Sequence, residues 1–153
     1  MSTAQTLAAC LMLAANTYDV PPALMIGIMT VEGGRIGQEV GPNKNGTYDL
    51  GPMQINTRWL NSLGKHWNVH PDTARVWVRD DGCVNMHVAA WILKQKIAST
   101  GNMWSGVAAY HSSTPQFGIP YAHKVAKVLQ KKGLLADSAP EAAPKRIKVV
   151  EAQ

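Results

Sequence analysis

A chain of 153 residues, 46 % of them hydrophobic and with a formal net charge of +5, is sized for one domain with a genuine core. No stretch approaches the ~20 consecutive apolar residues of a membrane-spanning helix. Excess positive charge suits an anionic partner such as nucleic acid, a membrane surface or a cell-wall polymer, and by itself does not choose among them.

The apolar residues recur at helical spacing through most of the chain. Leu7, Leu11, Ala14 and Tyr18 share one face and predict an amphipathic helix over residues 3–17, with Ser2 or Thr3 as its cap. Leu7-Ala8-Ala9-Cys10 has the letters of a lipoprotein cleavage box, but no basic residue precedes it and the apolar run is too short for a signal peptide. Asp19-Val20-Pro21-Pro22 ends that helix and starts another over residues 22–32, which is apolar on nearly every side and therefore reads as central and buried. Gly33-Gly34 closes it.

Residues 35–52 are rich in glycine, proline and asparagine and read as irregular. Asn45-Gly46 suits a tight β-hairpin turn. Further short helices are expected from Met53 to Leu63 and from Pro71 to Arg79. Val84, Val88, Trp91 and Ile92 mark a longer helix ending near Ser99, and Trp104 to Tyr110 forms another short one. Tyr121, Val125, Val128 and Leu129 mark the last helix, with Pro120 at its start and Gly133 beyond its end. The fold class is mainly α, with residues 1–133 as the domain. The shift to Ala, Pro and charge predicts a disordered tail over residues 134–153, where Lys145-Arg146-Ile147-Lys148 is the one dense basic group.

Glu32 is the only charged residue between Val20 and Gly34. Burial and the negative end of the helix dipole both disfavour its charged form, which raises the pKa toward what a general acid needs near neutral pH. A salt-bridged structural carboxylate is the competing reading. Gln54 and Asn56 both donate and accept hydrogen bonds, as recognition of acetamido and hydroxyl groups requires, although turn chemistry also accounts for Gly51-Pro52. Five Trp and four Tyr against one Phe suit a sugar cleft; packing in the core is the plainer explanation for each. His66 and His70 are four residues apart, but Pro71 breaks a helix there, so neither a metal site nor a cofactor is expected. Cys10 and Cys83 pair as one disulfide in an oxidising compartment or remain two buried thiols. Basic and aromatic residues do not interleave as a nucleic-acid channel needs, and no nucleic-acid partner is expected.

Three segments in order carry a family resemblance: Glu32-Gly33, then Gly51-Pro52-Met53-Gln54-Ile55-Asn56, then Ala109-Tyr110-His111. The chain resembles the lysozyme-like lytic transglycosylases of the soluble-lytic-transglycosylase class over roughly residues 7–130. The stretch from Asn45 to Leu50 and the Asp81-Gly82-Cys83 helix start look like the specialised members that accompany conjugation and type IV secretion. The resemblance implies a lysozyme-like helical domain and Glu32 as the single catalytic acid. It also implies substrate contacts from Tyr48, Met53, Gln54, Asn56, Tyr110 and His111. Peptidoglycan glycan strands would be the substrate, in the periplasm, with components of a transfer apparatus as partners and a signal peptide absent from this chain. Gly33 stands where the family usually has Ser, and His111 where it usually has Asn. Thr47 or Tyr110 could replace the missing Ser hydroxyl. If Asp49 faced Glu32 as a second carboxylate, a hydrolytic muramidase would result; a structural turn role is the stronger reading for it. A non-catalytic peptidoglycan-binding module is the remaining alternative.

Overall fold

The computed structural model describes residues 2–135. In chain order these form α1 (Thr3–Tyr18), α2 (Pro22–Glu32), β1 (Glu39–Val40), β2 (Asp49–Leu50), β3 (Ile55–Asn56), a 3-10 turn (Thr57–Trp59), α3 (Leu60–Trp67), α4 (Pro71–Asp80), α5 (Gly82–Thr100), α6 (Met103–His111) and α7 (Pro115–Lys131). This is the mainly α, lysozyme-like architecture read from the sequence. The expected tail lies outside the described residues apart from Leu134 and Leu135. No described helix is long and apolar enough to cross a membrane. The chain divides into two compact units: Met1–Ala14 with Glu32–Ala89, and Ala15–Val31 with Ala90–Gln153.

In the first unit, α1 begins with a capping box. Ser2 Oγ accepts from the Gln5 N–H at 3.2 Å while Gln5 Oε1 accepts from the Ser2 N–H at 2.8 Å, so each side chain satisfies the other's backbone. Cys10 and Leu11 on its buried face join Leu50, Met53, Ile55, Leu63, Val78 and Met86 in the core. A disulfide ties Cys10 to Cys83, with Cα atoms 5.0 Å apart. Asp81 starts α5 by accepting from the N–H groups of Cys83 and Val84 at 2.9 and 3.1 Å. The three strands pair antiparallel in the order β1-β2-β3, with Asp49 opposite both Val40 and Asn56.

Two expectations for this unit need correction. Asn45-Gly46 is not the centre of a tight two-residue turn: β1 and β2 are joined by residues 41–48, where Asn43 O accepts from Gly46 N at 2.8 Å and Gly46 holds φ +82° at the end of the turn. Nor is Met53 to Leu63 one helix. Gln54 takes φ +53°, which a helix excludes, and Asn56 is extended and caps the following 3-10 turn by accepting from Arg58 N at 3.0 Å. The α-helix starts only at Leu60.

In the second unit, α6 is capped by Asn102, whose side chain accepts from the N–H groups of Trp104 and Ser105 at 3.0 and 3.1 Å. Gly118 brings α7 against the end of α6, since a Cβ there would stand 2.6 Å from Ser112 O and 2.8 Å from Ala108 O. The last helix begins at Pro115, five residues before the expected start, and Pro120 lies inside it. Pro115 supplies the favoured first-turn proline, and packing on α6 outweighs the backbone bond lost at Pro120. Within α2, Leu24, Met25, Gly27 and Ile28 are buried, but Thr30 is exposed and the other residues are half-buried, so its apolar circumference is not fully enclosed. The tryptophans likewise depart from a core reading: none of the five is fully buried, and Trp77 is 41 % exposed.

Candidate active site

Glu32 is the last residue of α2 and is half-buried. Gly33 leaves the helix at φ +62°, the left-handed conformation that commonly ends helices. Gly34 then passes so close to residues 51–54 that a Cβ on it would collide with Gly51 O and stand 2.6 Å from Gln54 Nε2. The backbone two residues beyond Glu32 therefore rests on the turn that carries Gln54. This turn holds Gln54 at φ +53°, with Nε2 donating to Gly51 O at 2.9 Å. Among the described residues nothing else engages the Gln54 side chain, so Oε1 and the second amide hydrogen remain for a ligand.

Asn85, on α5, holds this turn from beneath and was not singled out from the sequence. It is completely buried. Its Nδ2 donates to Leu50 O at 2.9 Å and to Val78 O at 3.0 Å, while its Oδ1 accepts from Met53 N at 2.8 Å. The available signal was a lone amide between Val84 and Met86, in a run from Val84 to Leu93 whose only other polar side chains are those of His87 and the Trp91 indole.

Asn56 faces into a network of its own loop. Its Nδ2 donates to Thr47 Oγ1 at 2.9 Å and Asp49 Oδ1 at 3.1 Å. Asn43 Nδ2 donates to Thr47 Oγ1 at 3.0 Å and to Asp49 Oδ2 at 3.2 Å, and Thr47 Oγ1 donates to Asn45 Oδ1 at 2.6 Å. The Thr47 hydroxyl is therefore fully used within the loop and does not replace a Ser hydroxyl at position 33. Both Asp49 oxygens accept amide hydrogens, the pattern of a structural acceptor. Met53 has no exposed surface, so its side chain is core and not a substrate contact.

Tyr48 is half-buried, with the Arg75 guanidinium 5.2 Å from its ring centroid. Glu39 fixes Arg75 through two bonds of 3.0 and 2.6 Å and also accepts from Arg79 at 3.0 Å. The Arg75 hydrogen bonds, reinforced by Arg79, hold the Glu39 carboxyl below its ordinary range against the opposing effect of burial.

Glu32, Tyr48, Met53, Gln54 and Asn56 all fall in the first unit; Tyr110 and His111 fall in the second, in the last turn of α6. Tyr110 is buried, whereas His111 is exposed and stacks on Tyr121 with ring centroids 4.5 Å apart. His70 caps α4, its Nδ1 accepting from Asp72 N at 3.0 Å.

Two comparisons bear on this arrangement. Protein IpgF of Shigella flexneri is 30 % identical over 107 residues, covering 66 % of this chain and 63 % of that protein. Invasion protein IagB of Salmonella typhimurium is 28 % identical over 105 residues, covering 69 % of this chain and 62 % of its own length. The chain thus spans a little under two thirds of these relatives. The model of the transglycosylase SLT domain matches residues 9–118, a stretch that holds Glu32, the Gln54 turn, Asn85 and His111. By that match the chain belongs to the transglycosylase SLT domain family.

Proposed function

We propose that the chain is a lytic transglycosylase that cleaves the β-1,4 bond between N-acetylmuramic acid and N-acetylglucosamine in peptidoglycan, with Glu32 as its single acid and base. The observation that carries this reading is the placement of Glu32, half-buried at the closing turn of α2, two residues before Gly34 meets the Gln54 turn. A carboxyl at a helix C-terminus favours its protonated form. Glu32 gives its proton to the glycosidic oxygen as the bond to muramic C1 breaks. The substrate's acetamido group stabilises the charge developing at C1. The Glu32 carboxylate then takes the proton from the muramic C6 hydroxyl, whose oxygen bonds to C1 and closes a 1,6-anhydro ring. No water is consumed and no cofactor takes part. Gln54, with its free amide atoms, holds the sugar from the first unit; Tyr110 and His111 of the second unit are the further residues assigned to substrate binding.

A hydrolytic muramidase needs a second carboxylate to activate water or to attack C1. The binding of both Asp49 oxygens by Asn43 and Asn56 favours the single-carboxylate route. The reading extends to a periplasmic setting, which the Cys10–Cys83 disulfide supports. It also extends to local opening of the wall for an envelope-spanning apparatus, supported by the likeness to a protein named for invasion. The test is digestion of purified sacculi followed by mass spectrometry. Wild type should release anhydromuropeptides, and folded Glu32→Gln should release none. Reducing-end products would make it a muramidase; retention on sacculi without products would make it a binding module.

A further inference from the structure

We propose that Asn85 is a positioning residue for the reaction: from inside the core it sets the turn over residues 51–54, and through that turn the placement of Gln54 relative to Glu32. This inference rests on the function proposed above. Asn85 never meets substrate, because its side chain has no exposed surface. It acts through three hydrogen bonds of 2.8–3.0 Å that join α5 to β2 at Leu50, to the last turn of α4 at Val78 and to the turn itself at Met53. Two donors and one acceptor are used at once. A carboxylate lacks the donors and a hydroxyl lacks one of them.

The turn needs such a support. Gln54 stands at φ +53° without being glycine, a conformation that persists only where the surroundings dictate it. Gly51, at φ +68°, lies so close that a Cβ on it would run into the Asn85 amide nitrogen. On the other side of the same residue, Gly34 rests against Gly51 O and Gln54 Nε2. A displacement of Asn85 therefore moves Gly51 and Met53 first, then Gln54 and the segment leaving Glu32. Burial alone would make Asn85 a stabilising residue; its attachment to Leu50 O just before this turn and to Met53 N within it makes it a positioning one.

The decisive variant is Asn85→Asp. Its buried carboxylate would accept from Met53 N but face the Leu50 and Val78 carbonyl oxygens with no hydrogen to offer. Protonation restores one donor, and burial raises the pH at which that happens. The ratio of its turnover on sacculi to that of wild type should be at most about one tenth at pH 7.5 and should climb as the pH drops toward 5, so that its pH profile is steeper than that of wild type. Leu63→Ala, a core truncation in the same unit with comparable loss of melting temperature, should keep near-normal turnover and an unshifted profile when both are assayed well below their melting points. Gly51→Ala, whose Cβ would press on the Asn85 amide from the turn side, should reproduce the loss with Asn85 still in the sequence, which decides the matter if Asn85→Asp does not fold. The inference is overturned if Asn85→Asp loses no more turnover than Leu63→Ala, if its profile matches wild type, or if Gly51→Ala is fully active. An inactive wild type would instead sink the proposed function. In that event, hydrogen exchange at the Met53 and Gln54 amides, about tenfold or more faster in Asn85→Asp at pH 7.5 but not in Leu63→Ala, still tests the positioning of the turn.

Discussion

Gly33 and Gly34 meet different demands. Gly33 has open space around the position of a Cβ and needs only its left-handed backbone, whereas Gly34 is pressed against Gly51 and Gln54. Gly33→Ser, which restores the residue common in the family, should cost about 1 kcal/mol in a denaturant melt, the usual penalty of that backbone for an L-residue. Gly34→Ala should lose more stability than this and lower turnover at least about tenfold, because Gly51 or the Gln54 amide must move; equal melts and full activity for the two variants would contradict the asymmetry. The sequence shows a flexible pair after Glu32 but not which member is crowded, since crowding depends on a turn seventeen or more positions away (34 to 51). The same limit applied to Met53 and Asn56. Their residue types suit a ligand, but their orientation comes from Asn85 and from the Thr47–Asp49 network, which no local pattern encodes.

At the scale of elements, the clamp between β1 and α4 answers to pH. Glu39 binds Arg75 through two bonds and Arg79 through one, and Arg75 covers Tyr48. Its folded-state pKa is depressed, chiefly by the Arg75 hydrogen bonds. The stabilisation is therefore complete above the unfolded-state value and is lost as the pH falls through the folded one. Glu39→Gln should cost on the order of 1 kcal/mol at pH 7, because both partners remain partly open to solvent. The gap to wild type should narrow on acidification below the ordinary carboxylate range; a constant gap across pH 3–7 in thermal melts would refute the assignment. Helices bounded by proline, glycine or a turn-forming polar residue were legible to within a residue or two, as α1, α2 and α4 show. The stretch from Met53 to Leu63 was not legible, because the left-handed Gln54 is imposed by tertiary contacts. The start of α7 was misplaced because Pro120, which ordinarily marks a boundary, is tolerated within a helix held against α6.

At the scale of the molecule, the first unit is assembled from two separated stretches of chain, Met1–Ala14 and Glu32–Ala89, and the disulfide joins one to the other. Closing a loop of 73 residues is worth about 4 kcal/mol on the chain-entropy model. The Cys10→Ser, Cys83→Ser double variant should show a loss of that order in denaturant unfolding, and an unchanged midpoint would rule out this contribution. The same ring has a topological consequence. Glu32, Tyr48, Gln54 and Asn56 all lie between residues 10 and 83, as does the largely exposed 41–48 connection around Lys44. A protease that cuts once after Lys44 therefore frees no piece: the severed halves, one ending in Lys44 and bearing Glu32 and the other bearing Gln54, stay covalently joined through Cys10 and Cys83 and part only when a reductant opens the bond.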